Sequence, residues 1–140
     1  MNMTTALPPD YKPTAKEKFM NAKQQEYFRQ KLLKWRSELL GEANETRQNL
    51  QETSSVEADI ADRASAETDR SLELRTRDRA RKLISKIDEA LERIEDGSYG
   101  FCEETDEPIG IKRLEARPIA TLSLEAQERH EKMKKIHRDD

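Results

Sequence analysis

Beyond Asn21 the apolar side chains step by four and three residues, through Phe28, Leu32, Trp35, Leu39 and Ala43. A second run, Leu72, Thr76, Ala80, Leu83, Ile87, Leu91 and Ile94, keeps the same step and stops at Gly97. Steps of three and four place side chains on one helical face, and a stripe this narrow is a seam for another helix. Two such runs, joined by the polar stretch QETSSVEAD, predict a long antiparallel coiled-coil hairpin. Each arm is roughly 30–35 residues, about 50 Å at about 1.5 Å per residue. Asn21 and Gln24 have the spacing of a helix cap and its reciprocal partner. Gly97 suits the left-handed residue that closes a helix.

Composition agrees with a seam and disagrees with a broad core. Of 140 residues, 39% are charged and only 34% hydrophobic, with a net charge of −3. The negative balance argues against a generic phosphate-binding surface, since nucleic-acid binders carry a basic patch or stripe. Lys132, Lys134, Lys135 and Arg138 form a small basic tail among acidic residues. The single cysteine excludes an intramolecular disulfide and fits a reducing compartment. The first residues, MNMTTALPPDYKPTAKEKF, lack the apolar core of a secretory signal, and no stretch approaches a membrane span. The expectation is a cytoplasmic protein with no membrane partner.

The expected organisation is mainly α, in four segments. Residues 1–20 form an irregular segment packing on a globular domain, and 21–96 form the hairpin, with its tip near 53–64. In 97–122, Tyr99, Phe101, Ile109, Ile111, Leu114 and Leu122 lie among Pro108, Gly110 and Pro118. That mixture predicts a small module of short strands and turns. Residues 123–140 predict a helix, with Ser123 as its cap and Glu125 at the positive end of the dipole.

No constellation of catalytic residues is present, so the chain is not read as an enzyme. His130 and His137 are seven apart, too far for the helical zinc pair at i, i+4. In ADIADRA, Asp59 and Asp62 are three apart and share a face if helical. Paired carboxylates can hold a divalent cation or act on one held elsewhere. They can equally be the acidic surface of a solvated turn. Their place at the end of a long stiff hairpin favours a group that reaches into something.

ADIADRA, the run SLELRTRDRARKLISKIDEALERIEDGSYGFC and the later IGIKRLEARP together resemble the DksA/TraR family of bacterial transcription factors. The resemblance runs from about Phe19 to about Leu124. It implies a coiled-coil hairpin on a small globular domain, followed by a C-terminal helix. It also implies insertion of the hairpin tip into the secondary channel of RNA polymerase, with effects on promoter-complex stability jointly with the alarmone ppGpp. Carried over by position, the tip residues are Asp59, Asp62 and Ala64. The ppGpp site formed with the polymerase corresponds to Leu83, Lys86 and Arg117, and Arg79 to a contact with the channel rim. Gln127 falls where the family carries a basic residue. The implied protein is a monomer that binds no nucleic-acid sequence directly.

The family's common form also has four zinc-binding cysteines in two CxxC pairs. This chain has Cys102, Thr105, Ser123 and Ala126 at those places. Alanine cannot ligate, and neutral hydroxyls are poor zinc ligands beside thiolate or imidazole. The expectation is a degenerate, metal-free module held by packing. Two other readings stand beside the resemblance: a cleavage factor that uses the same channel, and a coiled-coil scaffold or chaperone-like hairpin without polymerase contact.

Overall fold

The structure is a computed structural model, and it describes residues 6–53 and 60–139. The side chains at 46, 47, 49–53, 60–63, 138 and 139 are outside that description. The described residues form four helices: α1 (Ala22–Thr53), α2 (Ile60–Asp96), α3 (Ile111–Ala116) and α4 (Leu124–Asp139). The chain divides into two compact units, one of Met1–Leu32 with Glu89–Asp140 and one of Leu33–Asp88. The mainly α class predicted from the spacing is the class observed, and none of the described helices is long and apolar enough to cross a membrane.

In the first unit, α1 begins as its sequence dictates. Asn21 Oδ1 accepts the Gln24 amide at 2.9 Å, relieving one of the orphan donors of the first turn. Gln24 does reach back, but one residue beyond the cap: its Oε1 accepts the Met20 amide at 2.7 Å. Its Nε2 donates to the Thr14 carbonyl at 3.2 Å. The fully buried Gln24 side chain thereby ties the irregular N-terminal segment to the helix start.

One turn on, Phe28 and Leu32 are wholly buried, and the Phe28 ring lies 5.8 Å from the ring of Tyr99. Tyr99 arrives there because α2 stops sharply. Gly97 takes φ +85°, and the Arg93 carbonyl accepts the amides of Ser98 at 3.0 Å and Tyr99 at 3.1 Å. These bonds satisfy a carbonyl that the helix leaves free at its end. The buried Tyr99 hydroxyl donates to the Pro118 carbonyl at 2.7 Å.

The segment after Gly97 departs from the expected short strands. Among the described residues it holds one isolated bridge, Phe101 with Pro108, and the stretch from Ile111 is the helix α3. Gly110 is the reason. At φ +104° it turns the chain into a helix whose first bond runs from the Leu114 amide to its own carbonyl at 3.1 Å. Leu114 is fully buried, whereas Phe101 is 36% exposed and meets Phe19 edge-on at 5.4 Å. For α4 the expected cap is present: Ser123 Oγ accepts the Ala126 amide at 3.2 Å.

Among the described residues of the second unit, the buried positions are Leu39, Ala80 and Ile87. Leu72 and Thr76, read as seam residues, are exposed, Leu72 by 54%. The partly covered positions are Ala66, Arg70, Glu73 and Arg77, leading by steps of four and three to Ala80. Apart from the small Ala66, the inward face of early α2 is thus polar, one residue out of phase with Leu72 and Thr76. Arg36 on α1 donates to Asp88 on α2 at 2.7 Å, a cross-arm pair that holds the guanidinium above its ordinary range through the hydrogen bond and the charge of Asp88. Both side chains are partly solvated, so the pair directs registry more than it adds stability.

Candidate functional site

A row of exposed cations lies on α2 in the second unit. Arg75, Arg79, Lys82 and Lys86 are separated by four, three and four residues and therefore share one face. With Asp78 and Leu83 they line one shallow groove. Asp78 is also engaged by Arg81 on the same helix, at 3.9 Å. Four exposed cations in a row favour anionic partners, arginine by planar two-point hydrogen bonding and lysine as a point charge. Three predicted site residues, Arg79, Leu83 and Lys86, are brought together here. Arg75 and Lys82 were not singled out from sequence, although their spacing carries the signal.

Of the predicted tip residues, Asp59 and the side chain of Asp62 lie outside the described residues. Ala64 is exposed and lines a second groove along α2 with Glu67, Thr68, Ser71, Leu72 and Arg75. Thr68 donates its hydroxyl to the Ala64 carbonyl at 3.0 Å, which turns that side chain onto the helix and keeps the face low.

Arg117 belongs to the first unit. It is the C-cap of α3, with its amide donating to the Arg113 carbonyl at 2.7 Å and its side chain exposed. α3 is tethered through Glu115, which accepts the Lys31 ammonium at 2.8 Å. Burial pushes the Glu115 carboxyl up, but the Lys31 bond, the influence of the Tyr27 hydroxyl and the charges of Lys31 and Lys12 outweigh it and hold the group below its usual range. On α4, Gln127 donates to Glu131 at 3.2 Å, while Arg129 and His130 both pair with Glu104.

A family model described as the DnaK suppressor protein DksA, N-terminal domain, matches residues 24–94, which span most of α1 and α2. The chain belongs to the DksA family. The prokaryotic dksA/traR C4-type zinc finger model matches residues 97–132. A Caulobacter vibrioides (strain NA1000 / CB15N) protein named RNA polymerase-binding transcription factor DksA is 66% identical over 131 residues, 94% of this chain and 92% of the relative. The protein of that name in Escherichia coli (strain K12) is 44% identical over 115 residues, 82% of this chain and 76% of the relative. The solved structure of transcription factor DksA2 from Pseudomonas aeruginosa is similar at a TM-score of 0.77 and 46% identity, covering 84% of this chain and 90% of that one.

The zinc finger of the DksA family asks for four thiolates, and the knuckle of this chain does not provide them. Cys102 is buried at 1% exposure and Ala126 at 0%. Burial raises the Cys102 thiol, but the influence of the Thr105 hydroxyl and of the backbone at Ser123, Thr105 and Glu104 outweighs it and brings the group down to about 6. Thr105 Oγ1 accepts the Glu107 amide at 3.3 Å, and Ser123 Oγ is engaged as the cap of α4. Among the described residues no group of three or more His, Cys, Asp or Glu side chains is placed to hold a metal. One thiol, two occupied hydroxyls and a methyl do not fit a tetrahedral zinc.

Proposed function

We propose that this chain is an RNA polymerase-binding transcription regulator of the bacterial stringent response, not an enzyme. It acts in the cytoplasm as a monomer, inserts the hairpin tip into the polymerase secondary channel and alters promoter-complex stability with ppGpp. The observation that carries the reading is the 66% identity across 94% of the chain to a protein named RNA polymerase-binding transcription factor DksA. The row of Arg75, Arg79, Lys82 and Lys86 supports it, because a protein of net charge −3 concentrates four cations on one helix face. In this reading Arg79 meets the channel rim. Leu83, Lys86 and Arg117 contribute to the ppGpp site completed by the polymerase, and Asp59, Asp62 and Ala64 act near the polymerase active centre. The neutral Gln127, tied to Glu131, leaves the effector site with one cation fewer than the family pattern. No resident zinc and no sequence-specific nucleic-acid contact take part.

In vitro transcription from a ribosomal RNA promoter, with and without ppGpp, tests these assignments. Asp62→Asn is expected to bind polymerase as the wild type does but to lose regulation. Arg117→Ala is expected to lose mainly the ppGpp response. Wild-type behaviour of Arg117→Ala at every ppGpp level defeats the effector assignment. Failure of the unmodified protein to bind polymerase at all favours the scaffold reading instead.

A further inference from the structure

Arg117 is the member of the proposed effector site that belongs to the first unit, and the chain on either side of it is anchored to other elements of that unit. We infer that Lys31 and the Tyr99 hydroxyl are positioning residues for Arg117: they fix the turn that carries it, and so set how little ppGpp the response requires. The inference rests on the effector reading given above.

The backbone of Arg117 is occupied at both of its polar groups. Its amide donates to the Arg113 carbonyl at 2.7 Å, and its carbonyl accepts the Ala120 amide at 3.0 Å. Its dihedrals, φ −138° and ψ 83°, lie outside the helical region, which the proline that follows disfavours. These local bonds give the turn its shape but no fixed place in the unit.

The place comes from two bonds of long range. Two residues before Arg117, the Glu115 carboxylate accepts the Lys31 ammonium of α1 at 2.8 Å. That ammonium also stands 5.9 Å from the centre of the Tyr27 ring, close enough for the ring face to attract it. One residue after Arg117, the carbonyl of the buried Pro118 accepts the buried Tyr99 hydroxyl at 2.7 Å. Arg113 Nε donates to the Leu122 carbonyl at 2.9 Å and closes α3 onto the chain entering α4. The turn is thus held from α1 on one side and from the segment after α2 on the other.

The guanidinium itself is exposed and has no hydrogen bond or ion pair to the described residues. No internal partner has to be given up when an anion binds. A long side chain on a fixed backbone loses only its own rotamers on binding, whereas on a loose turn the backbone must be ordered as well and affinity falls. The Tyr99 hydroxyl is buried and the Lys31 ammonium is taken up by Glu115, so both act through the backbone of Arg117.

The test combines ppGpp titration of in vitro transcription at a ribosomal RNA promoter with amide exchange of the free full-length chain. Lys31→Met and Tyr99→Phe are each expected to raise the ppGpp concentration at half-maximal response about threefold. Regulation without ppGpp and the plateau at saturating ppGpp should stay as in the wild type. Lys31→Arg, which keeps a charged donor for Glu115, should respond as the wild type. In an Arg117→Ala background the two substitutions should leave the residual response where it is, a silence that independent loss of stability would not produce. In the free chain the Arg117 and Ala120 amides should exchange faster in both variants, while the Gln24 amide, held by Asn21, does not change. An unchanged half-maximal concentration in both variants, unchanged exchange at both amides, or a further shift in the Arg117→Ala background overturns the inference. Failure of the effector reading looks different: Arg117→Ala alone then keeps the wild-type ppGpp response, and the inference falls with it.

Discussion

Lys31 and Glu115 are 84 residues apart in the chain, yet the ammonium of one donates to the carboxylate of the other at 2.8 Å. The bond ties the short helix α3 to α1. Since α3 ends at Arg117, the pair also fixes where that cap residue leaves the helix.

Removing the tether should cost little stability but change its pH dependence. Both side chains are about a third exposed, which limits the pair to roughly 1 kcal/mol or less. The Glu115 carboxyl is held below its unfolded value. Its contribution is therefore present at neutral pH and lost as pH falls through the folded-state value. Denaturant unfolding of Lys31→Met between neutral and acid pH should show a small deficit that fades on the acid side.

Tyr99→Phe isolates one buried hydrogen bond. The ring stays against Phe28, but the Pro118 carbonyl loses its donor. Leaving a buried acceptor unpaired costs about 1–3 kcal/mol. Urea midpoints should fall accordingly with an unchanged slope, whereas Tyr99→Ala should cost about 3–5 kcal/mol by opening a cavity.

Two glycines should respond with opposite signs. At Gly100, φ is +93° and an added Cβ would stand 3.0 Å from Met20 Cγ and 3.2 Å from Phe19 Cζ. Gly100→Ala is expected to lower stability by about 1–3 kcal/mol. Gly41 is helical and a Cβ there meets nothing within 4 Å. Gly41→Ala should raise stability by about 0.4–1 kcal/mol. Thermal unfolding of the two variants side by side reads both signs.

The thiol of Cys102 predicts a second pH effect. Its folded-state value is about 6, against about 8.5 for an unfolded cysteine. A lowered value contributes stability that is complete above the unfolded value and is lost as pH falls toward 6. The advantage of wild type over Cys102→Ser should therefore grow between pH 6 and pH 9 in chemical denaturation. A constant difference across that range counts against an ionised sulfur.

Features with a local signal are legible in the sequence. The Asn21 cap, the Gly97 stop and the Ser123 cap are each written in a few adjacent residues, and each appears in the structure. Leu72 and Thr76 mislead because apolarity is not the mark of the seam there. In early α2 the inward positions include Arg70, Glu73 and Arg77, whose long side chains leave no apolar trace. In the module after Gly97, Pro108 and Gly110 signal a break in regular structure without specifying the element beyond it. Here a positive φ at Gly110 starts α3. The cation row on α2 is legible as spacing, but the resemblance points to only half of it, Arg79 and Lys86. The tether from Lys31 to Glu115 has no sequence signal, since it depends on tertiary packing.

The double acceptance at the Arg93 carbonyl has a consequence for how this chain can vary. With the amides of both Ser98 and Tyr99 on one oxygen, the count of residues from Arg93 to Tyr99 works as a fixed gauge. One added residue in α2 just before Gly97 rotates the downstream chain by about 100° and swings the Tyr99 ring away from Phe28. Insertions and deletions should therefore be tolerated in the irregular N-terminal segment and rejected across this short span, even where every substituted side chain is acceptable.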